Sequence, residues 1–385
     1  MGIKSLTFEI EEYKTRIKNV RARMEKKNID LVLVNTPENI FYLTGHHSPG
    51  YYMYMCLLLP IEGDIKLILR KGEVGNAKTY SWLEDYQLLD YDDTGDPAEV
   101  TVENILKLKK NNIGIELDSW FLKISDYYKI KNRLDNYKLI DASGLVEQER
   151  VIKSPKEIVF IKEAAQIASK AMVKSIEIVK TGVNDNEIAA ESFSSLCKSG
   201  CEYLGMEPFI AAGPRAGTMH SSWSGREVNQ GDSVLLEIAG CKNRYHGALM
   251  RTVCVGYASE KVKDWSKVCI EALNAAIEKI KPGITSGQVD EACRGVIEKA
   301  GLYENFRKRT GYSIGIAFAP DWGEGHIMSL QKNDSRTLKS GMVFHMPPAL
   351  REFGELGVGF SETVLVVENG CEVLTESKRE LIVNP

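Results

Sequence analysis

The sequence lacks the segments that would place the chain in a membrane or bind it to nucleic acid. No apolar stretch approaches the roughly 18 residues of a transmembrane helix, and residues 1–20 turn amphipathic and acidic without a signal-peptide core. Lysine and arginine number 49 against 53 aspartate and glutamate, so the net charge of -4 provides no general phosphate-binding surface. We therefore expect a cytoplasmic protein with neither membrane nor nucleic acid as a partner.

Low-complexity segments and short repeats are also absent, and the cysteines form no recognisable framework. The 8 cysteines lie at irregular positions. The close pair, Cys197 and Cys201, has no second pair and no histidines at zinc-finger spacing. We expect reduced thiols with structural roles, as is usual in the cytosol.

The length of 385 residues allows two domains, and the first half alternates helices with strands. Such alternation predicts an α/β domain over residues 1–150, built on a mainly parallel or mixed sheet. Apolar residues at helical spacing mark a first helix over residues 8–24. The further predicted elements are strands at 30–34, 53–59, 65–69, 113–115 and 138–140, and helices at 97–109 and 125–134.

A second domain is predicted over residues 151–385. Ser154 and Pro155 have the form of a helix cap and first turn, and the helical period then continues to Gly182. Two helices followed by strands occur twice, which predicts an α+β domain of two similar halves that enclose one antiparallel sheet and a ligand cleft. The predicted elements are helices at 185–199, 265–280 and 286–300, a hairpin around Glu237, and strands at 209–211, 312–317, 342–346 and 361–367.

Glu237 stands inside an otherwise apolar strand at residues 235–240. Strands this apolar are usually covered on both faces, so the carboxylate needs a partner or a proton. An ion pair with Arg251 on the facing strand and a functional role are about equally plausible from the residues alone.

Three further residues are candidates for chemistry. His220 follows a strand in a Gly-rich loop, where a rigid scaffold often presents a catalytic group. Tyr312 and His345 lie in strands, where a packed tyrosine with a bonded hydroxyl and a satisfied core histidine are the ordinary interpretations. A solvated loop histidine is the corresponding alternative for His220.

The chain resembles the creatinase, aminopeptidase P and prolidase superfamily over nearly its whole length. The resemblance lies in the N-terminal α/β domain, the segment 151–157 that begins the long helix, and the order of elements after it. It implies a "pita-bread" fold for the second domain. The peptidases of that superfamily hold two divalent metals with two aspartates, one histidine and two glutamates.

At four of these five ligand positions the side chain cannot coordinate a metal as it does in the peptidases. Ala and Pro offer no side-chain donor, and Tyr and Ser are poor substitutes, so we expect no metal centre and no cofactor. A strand bulge that turned Glu362 would restore one carboxylate at most. Carried over position by position, the five residues are Glu237, Ala248, Tyr312, Pro347 and Ser361.

Metal-free members of the superfamily have two known outcomes. Creatinase remains a hydrolase of a C–N bond and uses a histidine that matches His220, whereas certain histone-chaperone domains only bind peptides. Retention of both His220 and Glu237 favours the first outcome. Segments 311–316, 320–324 and 327–330 are moreover similar to the ectoine hydrolase branch.

We therefore predict a metal-independent hydrolase of a non-peptide C–N bond in a small polar metabolite, with a cyclic amidine such as ectoine as the leading candidate. Glu237 is the expected nucleophile or base and His220 the proton shuttle, with Tyr312 and His345 as hydrogen-bonding groups. The expected substrate contacts are Trp322, Trp223, Glu362 and an arginine that the sequence does not identify.

Two other functions stay open at this point. One is a metallopeptidase for Xaa-Pro bonds, and the other is a non-catalytic module that binds peptides. The resemblance also implies a homodimer in which residues 46–52 of the N-terminal domain lie near the partner's active site.

Overall fold

The computed structural model describes residues 4–385, which separate into two compact units. The first unit ends at Arg150 and the second begins at Val151. None of the helices in the part of the chain described combines the length and apolar character that crossing a bilayer requires.

The first unit contains a mixed six-stranded sheet, as its sequence pattern predicts. Its strands are ordered β4-β3-β2-β1-β5-β6, with β2 antiparallel to both neighbours and the other pairs parallel. The strands β1 and β2 consist of apolar residues and are buried along their whole length, so they form the core of the sheet. The elements are α1 (Ile10–Lys26), β1 (Leu31–Val34), α2 (Pro37–Thr44), β2 (Cys56–Pro60), β3 (Lys66–Arg70), α3 (Val74–Tyr80), β4 (Leu88–Tyr91), α4 (Pro97–Leu108), β5 (Asn112–Ile115), α5 (Ile124–Arg133), β6 (Lys138–Asp141) and α6 (Glu147–Arg150).

The second unit opens on a long helix whose start agrees with the sequence pattern. Ser154 Oγ accepts from the amide of Glu157, and the Glu157 side chain accepts from the amide of Ser154, which is a capping box. Pro155 occupies the first turn. The helix ends at Ile178, four residues before Gly182. The first elements of this unit are α7 (Pro155–Ile178), which is this helix, α8 (Asp185–Lys198), β7 (Phe209–Ala212), β8 (Ser233–Lys242), β9 (Tyr245–Val255), α9 (Glu260–Lys279) and α10 (Ser286–Lys299).

The remaining strands are short. They are β10 (Gly311–Ser313), β11 (Ser329–Leu330), β12 (Val343–Met346), β13 (Ala349–Glu352), β14 (Leu356–Gly359), β15 (Glu362–Val367), β16 (Gly370–Val373) and β17 (Ile382–Asn384).

The strands of this unit form three ladders, antiparallel as predicted except where β17 runs parallel to β9. The ladders are β17-β9-β8-β7, β11-β10-β12-β15-β16 and β13-β14. Local backbone bonds link them: the amide of His246 donates to the Gly315 carbonyl at 2.9 Å, and that of Ser361 donates to the Met250 carbonyl at 3.0 Å. Alternating patterns predict strands, but the points at which a continuous ladder breaks depend on contacts far apart in the chain.

Two cores reflect the predicted pair of similar halves. One packs α7 and α8 against the β8–β9 hairpin, and the other packs α9 and α10 against β12 and β15. The hairpin closes through Asn243 and Arg244, both with positive φ, as a tight two-residue turn requires. The two helix pairs thus fix the strands that carry the candidate residues.

Candidate active site

Strand register decides which residues accompany Glu237. Glu237 lies opposite Met250 on β9 and opposite Phe209 on β7. Arg251 lies opposite Leu236, so it points to the other face of the hairpin, because successive side chains alternate. The expected ion pair between Glu237 and Arg251 is therefore wrong.

Arg251 pairs instead with Glu362. Its Nη2 donates to Glu362 Oε1 at 2.7 Å, and both side chains are at most 1% exposed. The pairing of β12 with β15 runs without a bulge and sets Glu362 opposite Met346, so nothing turns its carboxylate toward Glu237. The assignment of Glu362 to substrate binding is corrected by this position.

A cavity of about 550 Å³ lies at the open face of the hairpin. Its walls bring together four of the residues singled out from the sequence: Glu237, His220, Tyr312 and Trp322. Glu237 is 7% exposed, so its carboxylate reaches the cavity from an otherwise buried and largely apolar strand. A small metabolite fits a space of this size.

Phe209 organises two of these residues and was not singled out from the sequence. The His220 ring stacks on it with centroids 5.5 Å apart, and the Trp322 ring meets it edge-on at 5.4 Å. His220 itself is exposed and has a φ of 54°, a conformation that non-glycine residues rarely adopt. Phe209 therefore holds an otherwise exposed histidine beside Glu237.

A hydrogen-bonded chain runs from the cavity wall into the core. Trp322 Nε1 donates to the Tyr312 hydroxyl at 2.8 Å, and that hydroxyl lies 2.9 Å from His345 Nδ1. His345 Nε2 lies 2.7 Å from Ser361 Oγ. Both imidazole nitrogens are thus used within the protein, and His345 supports Tyr312 from behind rather than lining the cavity.

Burial keeps this chain uncharged near neutral pH. It raises the pKa of Tyr312 well above its usual value, an effect that the Glu237 carboxylate reinforces. Burial also lowers the pKa of His345 well below its usual value, and the Lys308 ammonium acts in the same direction. Tyr312 therefore remains protonated as a hydrogen-bonding group beside Glu237.

Trp223 does not belong to this cavity. Its ring meets Phe193 edge-on at 5.9 Å and packs against the core formed by α7, α8 and the hairpin. The expectation that it forms a wall for the substrate ring is corrected, because a tryptophan near His220 in sequence can still turn toward the core.

Sequence reasoning missed the basic side chains of the cavity. Arg307, Lys308 and Arg309 line it just before β10, and Arg351 lines it from β13. Burial lowers the pKa of Lys308 to about 8, although the Glu237 carboxylate opposes this change. The run of three bases was a visible signal, but basic runs are most often solvated surface.

The donor groups at the five aligned metal-ligand positions do not fit a dinuclear centre. Only Glu237 supplies a carboxylate, while the Tyr312 and Ser361 hydroxyls are hydrogen-bonded to His345. Ala248 and Pro347 have no side-chain donor. Over residues 4–385, no three or more His, Cys, Asp or Glu side chains are grouped to hold an ion.

Known proteins resemble the chain along nearly its full length. An ectoine hydrolase from Halomonas elongata is 28% identical, over 98% of this chain and 99% of its own. A Xaa-Pro dipeptidase from Pyrococcus furiosus is also 28% identical, over 96% and 100%. The crystal structure of a prolidase from Thermococcus sibiricus superposes with a TM-score of 0.87 at 28% identity, over 96% and 99%.

Family comparison divides the chain close to the boundary between its two compact units. Residues 16–152 match the creatinase/prolidase N-terminal domain, and residues 160–368, more than half of the chain, match metallopeptidase family M24. The chain therefore belongs to metallopeptidase family M24.

Proposed function

We propose that this member of the family is a metal-independent hydrolase of a non-peptide C–N bond in a small polar metabolite, and that a cyclic amidine such as ectoine is its substrate. One observation carries the proposal: Glu237, the single carboxylate among the five aligned positions, lines a small cavity together with His220 and Tyr312. The ectoine hydrolase of Halomonas elongata supports the choice of substrate.

An amidine suits a site of this kind. Its central carbon is electrophilic when the two nitrogens share a positive charge, so it needs less help from a Lewis acid than a peptide carbonyl does. The Glu237 carboxylate stabilises that cation by its charge. It then attacks the carbon as nucleophile or removes a proton from the attacking water as base.

Hydrolysis also needs a proton for the departing nitrogen. Water adds its oxygen to the amidine carbon, the C–N bond breaks, and the nitrogen leaves as an amine while the carbon becomes an amide. His220 carries the proton between the water and the nitrogen. Tyr312, oriented by Trp322 and His345, supplies a fixed hydrogen bond to the changing centre.

A Xaa-Pro dipeptidase is the second candidate, since the Pyrococcus furiosus dipeptidase shares the same 28% identity. Cleavage of a peptide bond by that route requires two metals, and the donor set described above argues against them. A peptide-binding module without catalysis is the third possibility, and turnover of any substrate excludes it.

A substrate screen with chelator separates these functions. Ectoine, hydroxyectoine, creatine and Xaa-Pro dipeptides are incubated with purified protein in EDTA, and products are quantified by mass spectrometry. We expect the amidine to be hydrolysed at the same rate with and without EDTA, and we expect Glu237→Gln to lower that rate on the order of a hundredfold. Loss of activity in EDTA with recovery in Mn²⁺ would refute the proposal, as would turnover of dipeptides alone.

A further inference from the structure

The cavity carries an excess of positive charge that the hydrolytic residues do not use. Four cations and two carboxylates line it, the carboxylates being Glu237 and Asp321. The cations are Arg307, Lys308, Arg309 and Arg351. A cationic amidine alone would be repelled by such a surface, so part of the ligand must carry negative charge.

Two of these cations lack partners. Among the residues described, Lys308 and the Arg351 guanidinium take part in no ion pair and no side-chain hydrogen bond, and Arg351 Nε is buried without an acceptor. By contrast, Arg307 Nε donates to the Glu304 carbonyl at 3.0 Å, and Arg309 lies over the Tyr312 ring at 5.0 Å. Partly buried charges without partners are costly unless a ligand satisfies them.

Lys308 and Arg351 also stand at a junction. Both line a second, smaller cavity of about 140 Å³, which shares Met219 and Arg307 with the larger one. The charge of Glu237 acts to raise the pKa of both side chains, against the effect of burial. An anionic group held at the junction would therefore lie within electrostatic reach of a cation held at Glu237.

We infer that Lys308 and Arg351 form a subsite for the carboxylate of the substrate, which is therefore a small zwitterion. Its cationic end lies at Glu237 and its carboxylate bridges the ammonium and the guanidinium. The inference rests on the proposed function for the reacting group only. An analogue without the carboxylate would leave both cations unpaired. A site rejects a ligand most strongly when binding leaves its own buried polar or charged groups without partners.

The test compares pairs of compounds that differ by the carboxylate alone. The pairs are ectoine and its methyl-tetrahydropyrimidine ring, creatine and N,N-dimethylguanidine, and glycylproline and glycylpyrrolidine. Calorimetry gives the Kd of compounds that are not hydrolysed, and initial rates give the KM of those that are. We expect the acid of at least one pair to bind about a hundredfold more tightly than its neutral or purely cationic counterpart.

Variants assign the preference to the two side chains. Lys308→Met and Arg351→Met should each reduce the acid preference about tenfold or more. The counterpart without a carboxylate should bind at least as tightly as to the wild type, because one repelling charge is gone, and this binding also shows that the site is folded. Lys308→Arg should retain most of the acid preference. Lys281→Met, which removes an exposed lysine outside the cavity, is the matched control and should retain all of it.

Equal binding within every pair, failure of every acid to bind, or an unchanged preference in both methionine variants would each overturn the inference. Failure of the proposed function looks different. In that case the acids bind through Lys308 and Arg351, but none of them is hydrolysed in EDTA.

Discussion

Replacing Glu362 with glutamine tests whether this carboxylate serves stability or substrate binding. The substitution keeps the shape of the side chain and removes its charge. Arg251 Nη2 would lose its ion pair at 2.7 Å, and Arg379 Nε would lose the same carboxylate at 3.5 Å. Arg251 is 0% exposed, so water cannot replace the lost partner.

The expected magnitude follows from this burial. Breaking a buried ion pair by removing one partner costs about 3–5 kcal/mol, because an uncompensated charge remains. For a unit of this size the loss corresponds to a fall in Tm of about 6–20 °C. Arg251 keeps four hydrogen bonds to backbone carbonyls, so we expect a folded but less stable protein.

Urea unfolding followed by circular dichroism measures the free energy of unfolding, and steady-state kinetics measure KM. Glu372→Gln is the matched control, since it breaks an exposed pair with Lys162 and should cost less than about 1 kcal/mol. We expect Glu362→Gln to leave KM within about twofold of the wild-type value, because its carboxylate does not line the cavity. If Glu362→Gln had wild-type stability and a tenfold higher KM, this reasoning would be refuted and Glu362 would be assigned to substrate binding.

Three further predictions concern the cavity. His220→Asn keeps a hydrogen-bonding group but cannot carry a proton, so kcat should fall on the order of a hundredfold while calorimetry shows little change in Kd; an unchanged kcat would remove His220 from the mechanism. Tyr312→Phe and His345→Gln should each lower kcat. If His345 acts through Tyr312, the double variant should be no slower than Tyr312→Phe alone, whereas additive losses would contradict that role for His345. Because Lys308 binds a carboxylate only when protonated and burial lowers its pKa to about 8, KM for an acidic substrate should rise above about pH 8; Lys308→Arg should abolish the rise, and a rise that persists in this variant would assign the ionisation elsewhere.

Local signals predicted the framework of both units. The capping box at Ser154 and the helical period after it fixed the start of α7, since both depend on residues within a few positions of each other. A nearly continuous apolar run located the hairpin that carries Glu237. Sequence context singled out Glu237, His220 and Tyr312, and the resemblance added Trp322; the structure brings these four residues to one cavity.

The errors about Arg251 and Glu362 share one physical cause. A sequence shows which residues alternate along a strand, but the face that meets the cavity depends on pairing with strands far away in the chain. Arg251 lies close to Glu237 in the hairpin and yet points to the other face, where Glu362 meets it. A shift of one residue in register would have exchanged these partners.

What the sequence by itself determined is the family and the residue types at the five aligned metal-ligand positions, because each depends on residue identity at aligned positions. Tertiary structure alone decided how the charges are distributed. It buried the Arg251–Glu362 pair in the core and brought Lys308 and Arg351, more than 40 residues apart in the chain, to one cavity with Glu237. Charges are strongest where water is excluded, and only the folded chain determines where that is.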